Sequence, residues 1–412
     1  MLPQSPTPNR QPRIGIWLIG AKGGVAATAL VGLAALRRGL VDPTGLVTAL
    51  SPFCRLELAD WDQFVVGGHE IRDVGLVDEA MRLATESRAV DRELVLGASE
   101  ELAAIDARVR PGILPGVGST IEQMAAPAIP RGESPREAIS RVRQDLADFA
   151  AAHQLPHVIV VNVASTEPPI DAGQFPSEWA ALEALLDDPR CGLPASSLYA
   201  IAALELGCSY INFTPSLGSA PAAIDELARR RGTRHMGCDG KTGETLLKSV
   251  LAPMFQRRHL RVLSWVGHNI FGNMDGKVLN DPANKQAKIA SKSHLLGEIL
   301  GYAPQAHVSI EYIESMGDWK TAWDHIHFAG FLGTRMTMQF IWQGSDSLLA
   351  APLVLDLVRL TELAWRRGDT GLLTFLASFF KSPYGVTEHC FDRQYQMLEA
   401  WASSAAGPIR RS

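Results

Sequence analysis

Three lysines, Lys285, Lys288 and Lys292, follow one another at three- and four-residue spacing in GNMDGKVLNDPANKQAKIASK, the stretch from 272 to 292. On one helix face, like charges at that spacing repel by about a few tenths of a kcal/mol. The chemistry such a trio offers is anion binding: fixed ammonium groups that receive a phosphate or an oxyanion. The plain alternative is a solvated surface face, which needs no ligand. A second chemical stretch is Gly237-Cys-Asp239-Gly-Lys241-Thr242-Gly243-Glu244-Thr245-Leu-Leu-Lys248-Ser249. A glycine-punctuated loop with hydroxyls that opens a helix suits a phosphate, because unpaired backbone N–H groups converge there. It does not match the Walker pattern.

The third candidate lies near the start. Ile14 to Ile19 reads as a short, continuous apolar strand, Gly20 to Gly24 as a turn, and Ala26 to Leu36 as an alanine-rich helix. Gly20, Gly23 and Gly24 would let the backbone approach a pyrophosphate at the helix N-terminus, though GxGxxG is absent and a plain βα turn is the alternative. Phe64 to Ile71 is another strand-like run, and its Glu70 stands where a dinucleotide fold places a carboxylate for a ribose hydroxyl. His157 to Val163 is a buried-parallel type of strand, followed by Ser165 and Thr166, which are candidates for cofactor contact or for a structural turn.

The elements that must position these residues alternate. A helix at 196–206, a strand at 210–213, a loop at 214–218 and a helix at 221–231 continue the βα rhythm of a doubly wound fold. The segment 78–151, broken at Pro111 to Gly118, reads as helices covering the sheet, and the Pro-rich first residues read as disordered.

The 412 residues carry 46% hydrophobic and 20% charged residues and a net charge of −5, the balance of a soluble globular enzyme and not of a nucleic-acid binder. Cys54, Cys191, Cys208, Cys238 and Cys390 form no CxxC pair, which fits a reducing cytoplasm and indicates neither a disulfide framework nor a metal cluster. The apolar run from Ile14 to Leu36 holds Lys22 and the Gly23-Gly24 pair at its middle, which favours strand, turn and helix over a membrane span.

With these stretches in place, the chain resembles the myo-inositol-1-phosphate synthases, also called inositol-3-phosphate synthases. Gly237 to Ser249 resembles the family's GDDxKSGQTKxKS. The stretch from Gly272 resembles GNNDGxNLSAPxQFRSKEISKS through Gly272, Asn273, Asp275, Gly276, Leu279, Pro282, Lys288, Ser291, Lys292 and Ser293. Gly317-Asp318-Trp319-Lys320 resembles GDSK, and Asp346 to Pro352 resembles EDSLLAAP nearly verbatim. Lys381 looks like the late lysine of SYxxKAP, Val163 to Glu167 resembles WTANTE, Phe64 to Ile71 resembles FGGWDI, and Gly20 to Thr28 is similar to GxGGNNGST. The resemblance runs from about 14 to about 385.

It implies an α/β fold: a Rossmann-like, doubly wound NAD-binding domain (13–245 plus 351–412, after a disordered 1–12) with an inserted α+β catalytic and oligomerisation domain (246–350). It also implies a homotetramer, a sugar phosphate substrate and NAD as cofactor. The implied reaction is the cyclisation of glucose 6-phosphate without net redox: oxidation at C5, enolisation at C6, intramolecular aldol closure on C1, and reduction. Carried over residue by residue, Lys288, Lys292, Lys320 and Lys381 form an ammonium cage with Asp275 and Asp318. Lys292 faces the phosphate, Lys288 faces the reacting oxygens, and Lys285, without a counterpart, stays solvated. Gly20, Gly23, Gly24, Val25, Glu70, Ser165, Thr166, Asp239 and Asp346 fall to the cofactor. Lys241, Thr242, Gly243, Glu244, Thr245, Leu279 and Lys292 fall to the substrate, and no metal ligand set is implied.

Four departures from the pattern stand out. Glu244 replaces a glutamine where a carboxylate repels phosphate unless it is turned away or paired. The loop 214–218 lacks an asparagine, Trp319 is bulky where GDSK has serine, and Lys22, Gly24 and Val25 replace a glycine and two asparagines. The alternatives are a diverged carbocycle-forming cyclase on another sugar, and a non-catalytic NAD-binding protein.

Overall fold

A computed structural model describes residues 12–188, 190–273, 276 and 296–405. The disordered N-terminus expected from the sequence, apart from Pro12, lies outside the described residues.

Two sheets organise the chain. The first has seven parallel strands: β1 (Ile14–Ile19), β2 (Phe64–Glu70), β3 (Val109–Pro111), β4 (Val158–Asn162), β5 (Ser209–Asn212), β6 (Arg234–Gly237) and β11 (Gly371–Leu372), in the order β11-β6-β5-β4-β1-β2-β3. β1, β2 and β4 are buried at every residue, as continuous apolar runs covered on both faces should be. On one face the helices Gly24–Arg37, Leu76–Thr85, Arg92–Asp106, Asp346–Arg367 and Phe391–Ala405 supply one core. On the other, Pro135–His153, Ala195–Glu205 and Ala222–Arg230 supply a second. The chain therefore reverses its winding between β1 and β4, and a crevice opens beyond the carboxyl ends of those strands.

The segment 78–151, expected to be helical cover alone, also contributes the edge strand β3, which pairs with β2 through Gly68, His69 and Glu70. Its Val-Arg-Pro sequence ends in a proline that an edge tolerates.

The second sheet has four strands, β7 (Arg261–Phe271), β8 (Gln305–Tyr312), β9 (Trp319–Ala329) and β10 (Arg335–Ser345), in the order β10-β9-β7-β8. Its inner face packs Val262, Trp265, Ile326 and Phe328 against Ala252 and Phe255 of the helix Gly243–Arg257. β10 runs directly into the helix Asp346–Arg367, which packs against the first sheet, so the start of β9 and the end of β10 meet the crevice. No helix among the described residues is long and apolar enough to cross a membrane.

Candidate active site

The glycine turn follows from close approach. Gly20 has φ +79°, and a Cβ there would lie 2.7 Å from Ala164 Cα, so a side chain at this position would drive β1 away from the loop after β4. Gly23 N–H closes the turn onto Gly20 O at 3.0 Å. The helix Gly24–Arg37 then begins with no acidic residue in its first turn and no side-chain cap. Its first N–H groups and partial positive charge stay available for an anion. Gly20, Gly23, Gly24 and Val25 all line the cleft.

Lys22 does not join them. Its ammonium turns outward to Val74 O (2.8 Å) and Asp106 Oδ1 (2.6 Å), which ties the turn to the neighbouring helices. Lys22 thus leaves the cleft side of the turn clear. Glu70, at the end of β2, is buried and lines the cleft. Its carboxylate accepts from Lys22 N (3.0 Å), Ile71 N (2.9 Å) and Arg72 N (3.1 Å), with the Arg72 guanidinium at 3.3 Å. These residues fit a dinucleotide: an open helix N-terminus, glycines that admit the backbone, and an anchored carboxylate one strand away.

Ser165 and Thr166 line the same cleft beyond β4. Beside them the Glu167 carboxyl accepts from Ser196 N at 2.8 Å and from the Ser196 hydroxyl, at the start of the helix Ala195–Glu205. Burial pushes its pKa up to about 7, against the lowering effect of those hydrogen bonds.

Two lysines line the same cleft. Lys381 Nζ lies 2.8 Å from Asp239 Oδ1, and Lys381 N donates to Asp239 O at 2.7 Å, so backbone and side chain share one partner. Lys320, on β9, places Nζ 3.8 Å from Asp346 Oδ1 and 5.2 Å from the Phe271 ring centre. Asp346 also accepts from Asn273 Nδ2 at 3.3 Å. Asp318 accepts from Ser347 Oγ (2.6 Å), Ser347 N (3.1 Å) and the Ser345 hydroxyl, which fixes it at the start of the helix Asp346–Arg367. Burial raises the Asp318 pKa, and the serine hydrogen bonds oppose the rise. Lys320, Lys381, Asp239, Asp318 and Asp346 all line the cleft that holds the glycine turn.

The loop expected to hold phosphate divides. Thr242 lines the cleft, whereas Lys241, Gly243, Glu244 and Thr245 do not. The buried Lys241 ammonium donates to Gln394 Oε1, and burial pushes its pKa down to about 7. Glu244 pairs with Lys248 Nζ at 2.5 Å, both side chains being 1% exposed. The expected repulsion of phosphate by Glu244 is thereby removed, since the carboxylate is turned to a lysine one helical turn on. Trp319 is not in the cleft either: its indole donates to Ser87 O at 2.6 Å. Asp275, Leu279, Lys285, Lys288 and Lys292 lie outside the described residues.

The cleft also holds residues not named among the site candidates, among them Arg72, Arg82, Asn162, Thr214 and Ser347, the last two within stretches compared with the family pattern. Asn162 closes the strand VIVVN, and its amide donates to Asn212 Oδ1 and Thr214 Oγ1 at 3.2 Å, so a polar residue ending a buried apolar run was its signal. Arg72 and Arg82 sit in ordinary charged surroundings and carry no such signal.

The family model described as myo-inositol-1-phosphate synthase, an NAD-binding family, matches residues 14–403. The chain belongs to the myo-inositol-1-phosphate synthase family. Inositol-3-phosphate synthase 1 of Bacteroides thetaiotaomicron is 33% identical, over 94% of this chain and 93% of its own. The Rattus norvegicus inositol-3-phosphate synthase 1 is 29% identical, over 92% of this chain and 75% of its own. Among solved structures, the inositol-3-phosphate synthase of Caenorhabditis elegans superimposes with a TM-score of 0.84 at 25% identity, over 96% of this chain and 86% of that one. A myo-inositol-1-phosphate synthase-related protein from Thermotoga maritima, at 23% identity and a TM-score of 0.77 over 95% of this chain, shares the fold. In this family member the glycine turn and two lysines of the sequence pattern line one cleft.

Proposed function

We propose that the protein is an NAD-dependent inositol-3-phosphate synthase, an isomerase that cyclises glucose 6-phosphate to myo-inositol 1-phosphate (1D-myo-inositol 3-phosphate). The observation that carries this reading is that Lys320 and Lys381 line the same cleft as the glycine turn and Glu70. A cofactor and a cluster of fixed cations are what a cyclisation through oxidised sugar intermediates demands.

NAD, when bound, supplies hydride acceptance at C5 and hydride return after ring closure. The other work falls to the chain. The turn 20–24, Glu70, Ser165 and Thr166 hold and orient the dinucleotide. Lys320 and Lys381, joined in this proposal by Lys288 and Lys292, hold ammonium groups toward sugar oxygens that gain negative charge during enolisation and aldol closure. Such preorganised charge in a water-poor cleft acts far more strongly than in bulk. Asp239 and Asp346 hold the Lys381 and Lys320 ammonium groups in place through contacts of 2.8 and 3.8 Å. The pairing of Glu244 with Lys248 supports a phosphorylated substrate, because it removes the one carboxylate that set this chain apart. The same reading includes a cytoplasmic homotetramer built through the inserted domain.

The test is phosphorus NMR of purified protein with NAD and glucose 6-phosphate. An inositol phosphate signal without accumulating NADH is expected; with NAD bound and no such product, the substrate assignment falls.

A further inference from the structure

The tryptophan that replaces the serine of GDSK has a specific partner far away in sequence. Ser87, in the loop between the helices Leu76–Thr85 and Arg92–Asp106, is buried. Its hydroxyl accepts the Asp318 N–H at 3.0 Å, and its carbonyl accepts the Trp319 indole N–H at 2.6 Å. Gly317 has φ +57°, and a Cβ there would stand 2.6 Å from Ser87 Oγ, so the chain presses directly onto this serine.

The contact lies between cofactor turn and lysine. A Cβ on Gly24 would meet Ser347 Oγ at 2.9 Å and Asp318 Oδ1 at 3.7 Å, which places the Asp318 carboxylate against the glycine turn. One residue past Trp319, Lys320 presents its ammonium to the cleft. Residues 317–320 thus enter β9 clamped from two sides: Ser345 and Ser347 hold the Asp318 side chain, and Ser87 holds the backbone and the indole.

We propose that Ser87 and Trp319 are positioning residues: together they dock the first residues of β9 onto the cofactor-binding domain and so set where Lys320 delivers its charge. The effect on turnover rests on the cyclisation proposed above; the docking itself does not. A displacement of about 1 Å in a group that stabilises a transition state lowers the rate roughly 10- to 100-fold.

Full-length Ser87→Ala and Trp319→Phe proteins test this, the second keeping an aromatic side chain of smaller size and losing the N–H donor. The first readout is competitive labelling of lysines by acetic anhydride, followed by mass spectrometry. Lys320 and Lys381 have equal side-chain exposure, 15%, so Lys381 is an internal reference. The Lys320-to-Lys381 labelling ratio is expected to change in both variants and to return in Ser87→Thr, which restores the hydroxyl. The second readout is kinetic: kcat falls roughly 10- to 100-fold while NAD affinity holds. An unchanged labelling ratio in both variants overturns the proposal, as does loss of activity only in step with loss of NAD binding. If the wild-type protein makes no inositol phosphate, the cyclisation reading fails, and the labelling ratio alone decides the docking role.

Discussion

Glu244 and Lys248 form a 2.5 Å ion pair one helical turn apart, with both side chains 1% exposed. Removing one partner of a buried pair strands the other charge, whereas replacing both by apolar groups is often neutral. Glu244→Ala is therefore expected to lower stability by about 3 kcal/mol, and Glu244→Ala with Lys248→Met to recover most of it. Urea denaturation of the two variants checks this. Equal losses in both would mean that Lys248 is not the group that needs Glu244.

Lys381 shares Asp239 through both its backbone and its ammonium. Lys381→Met is expected to lower kcat by about 10²–10³-fold, the usual cost of one missing oxyanion stabiliser, with NAD binding kept. Steady-state kinetics beside an NAD titration separates the two, and wild-type turnover in this variant would remove Lys381 from the mechanism.

Glu167 makes a pH prediction. Its pKa is about 7 in the folded chain, above its ordinary value near 4.5, because burial disfavours the anion. Between those values the folded state binds more protons than the unfolded one, so this group's contribution to stability is present below the lower value and lost as pH rises toward about 7. Asp356, raised to about 6, acts in the same sense, while His157, lowered to about 3, acts in the opposite one. The comparison with Glu167→Gln isolates the first: stability of the wild type relative to the variant should fall by up to about 3 kcal/mol from pH 4 to pH 8. Parallel stability curves would contradict the assignment.

Lys22 and Glu70 separate two kinds of cofactor-side residue. Lys22→Ala is expected to leave NAD affinity nearly unchanged, since its ammonium faces Val74 and Asp106. Glu70→Ala is expected to weaken NAD by about tenfold, the worth of one charge-assisted hydrogen bond. Isothermal titration with NAD decides; a larger loss from Lys22→Ala would place that ammonium on the dinucleotide.

What could be read from the sequence followed burial. β1 and β4 announced themselves as unbroken apolar runs because both their faces are covered. β6, with the sequence RHMG, did not: its arginine and histidine are buried by pairing, Arg234 with Asp369 O at 2.7 Å and His235 with Asp225 at 3.0 Å, which hydrophobicity does not register. β3 and β11 are too short to carry a period. In the site, the family resemblance named Lys320, Lys381, Asp318, Asp346 and the glycines, and all of them line one cleft. Side-chain direction was the illegible part. Glu244, Trp319 and Lys22 all looked like intrusions into a binding site; Glu244 turns to Lys248 one helical turn on, while Trp319 and Lys22 turn to Ser87, Val74 and Asp106, partners that spacing does not reveal.

In the proposed cyclisation, hydride leaves C5 of the sugar and comes back to the same molecule. Glucose 6-phosphate carrying deuterium at C5 tests it most directly, with the inositol phosphate analysed by mass spectrometry and proton NMR. Retention of the deuterium in the ring, with no net NADH, is the predicted result. Washout of the label into water, or a product formed equally well by protein stripped of NAD, would contradict it.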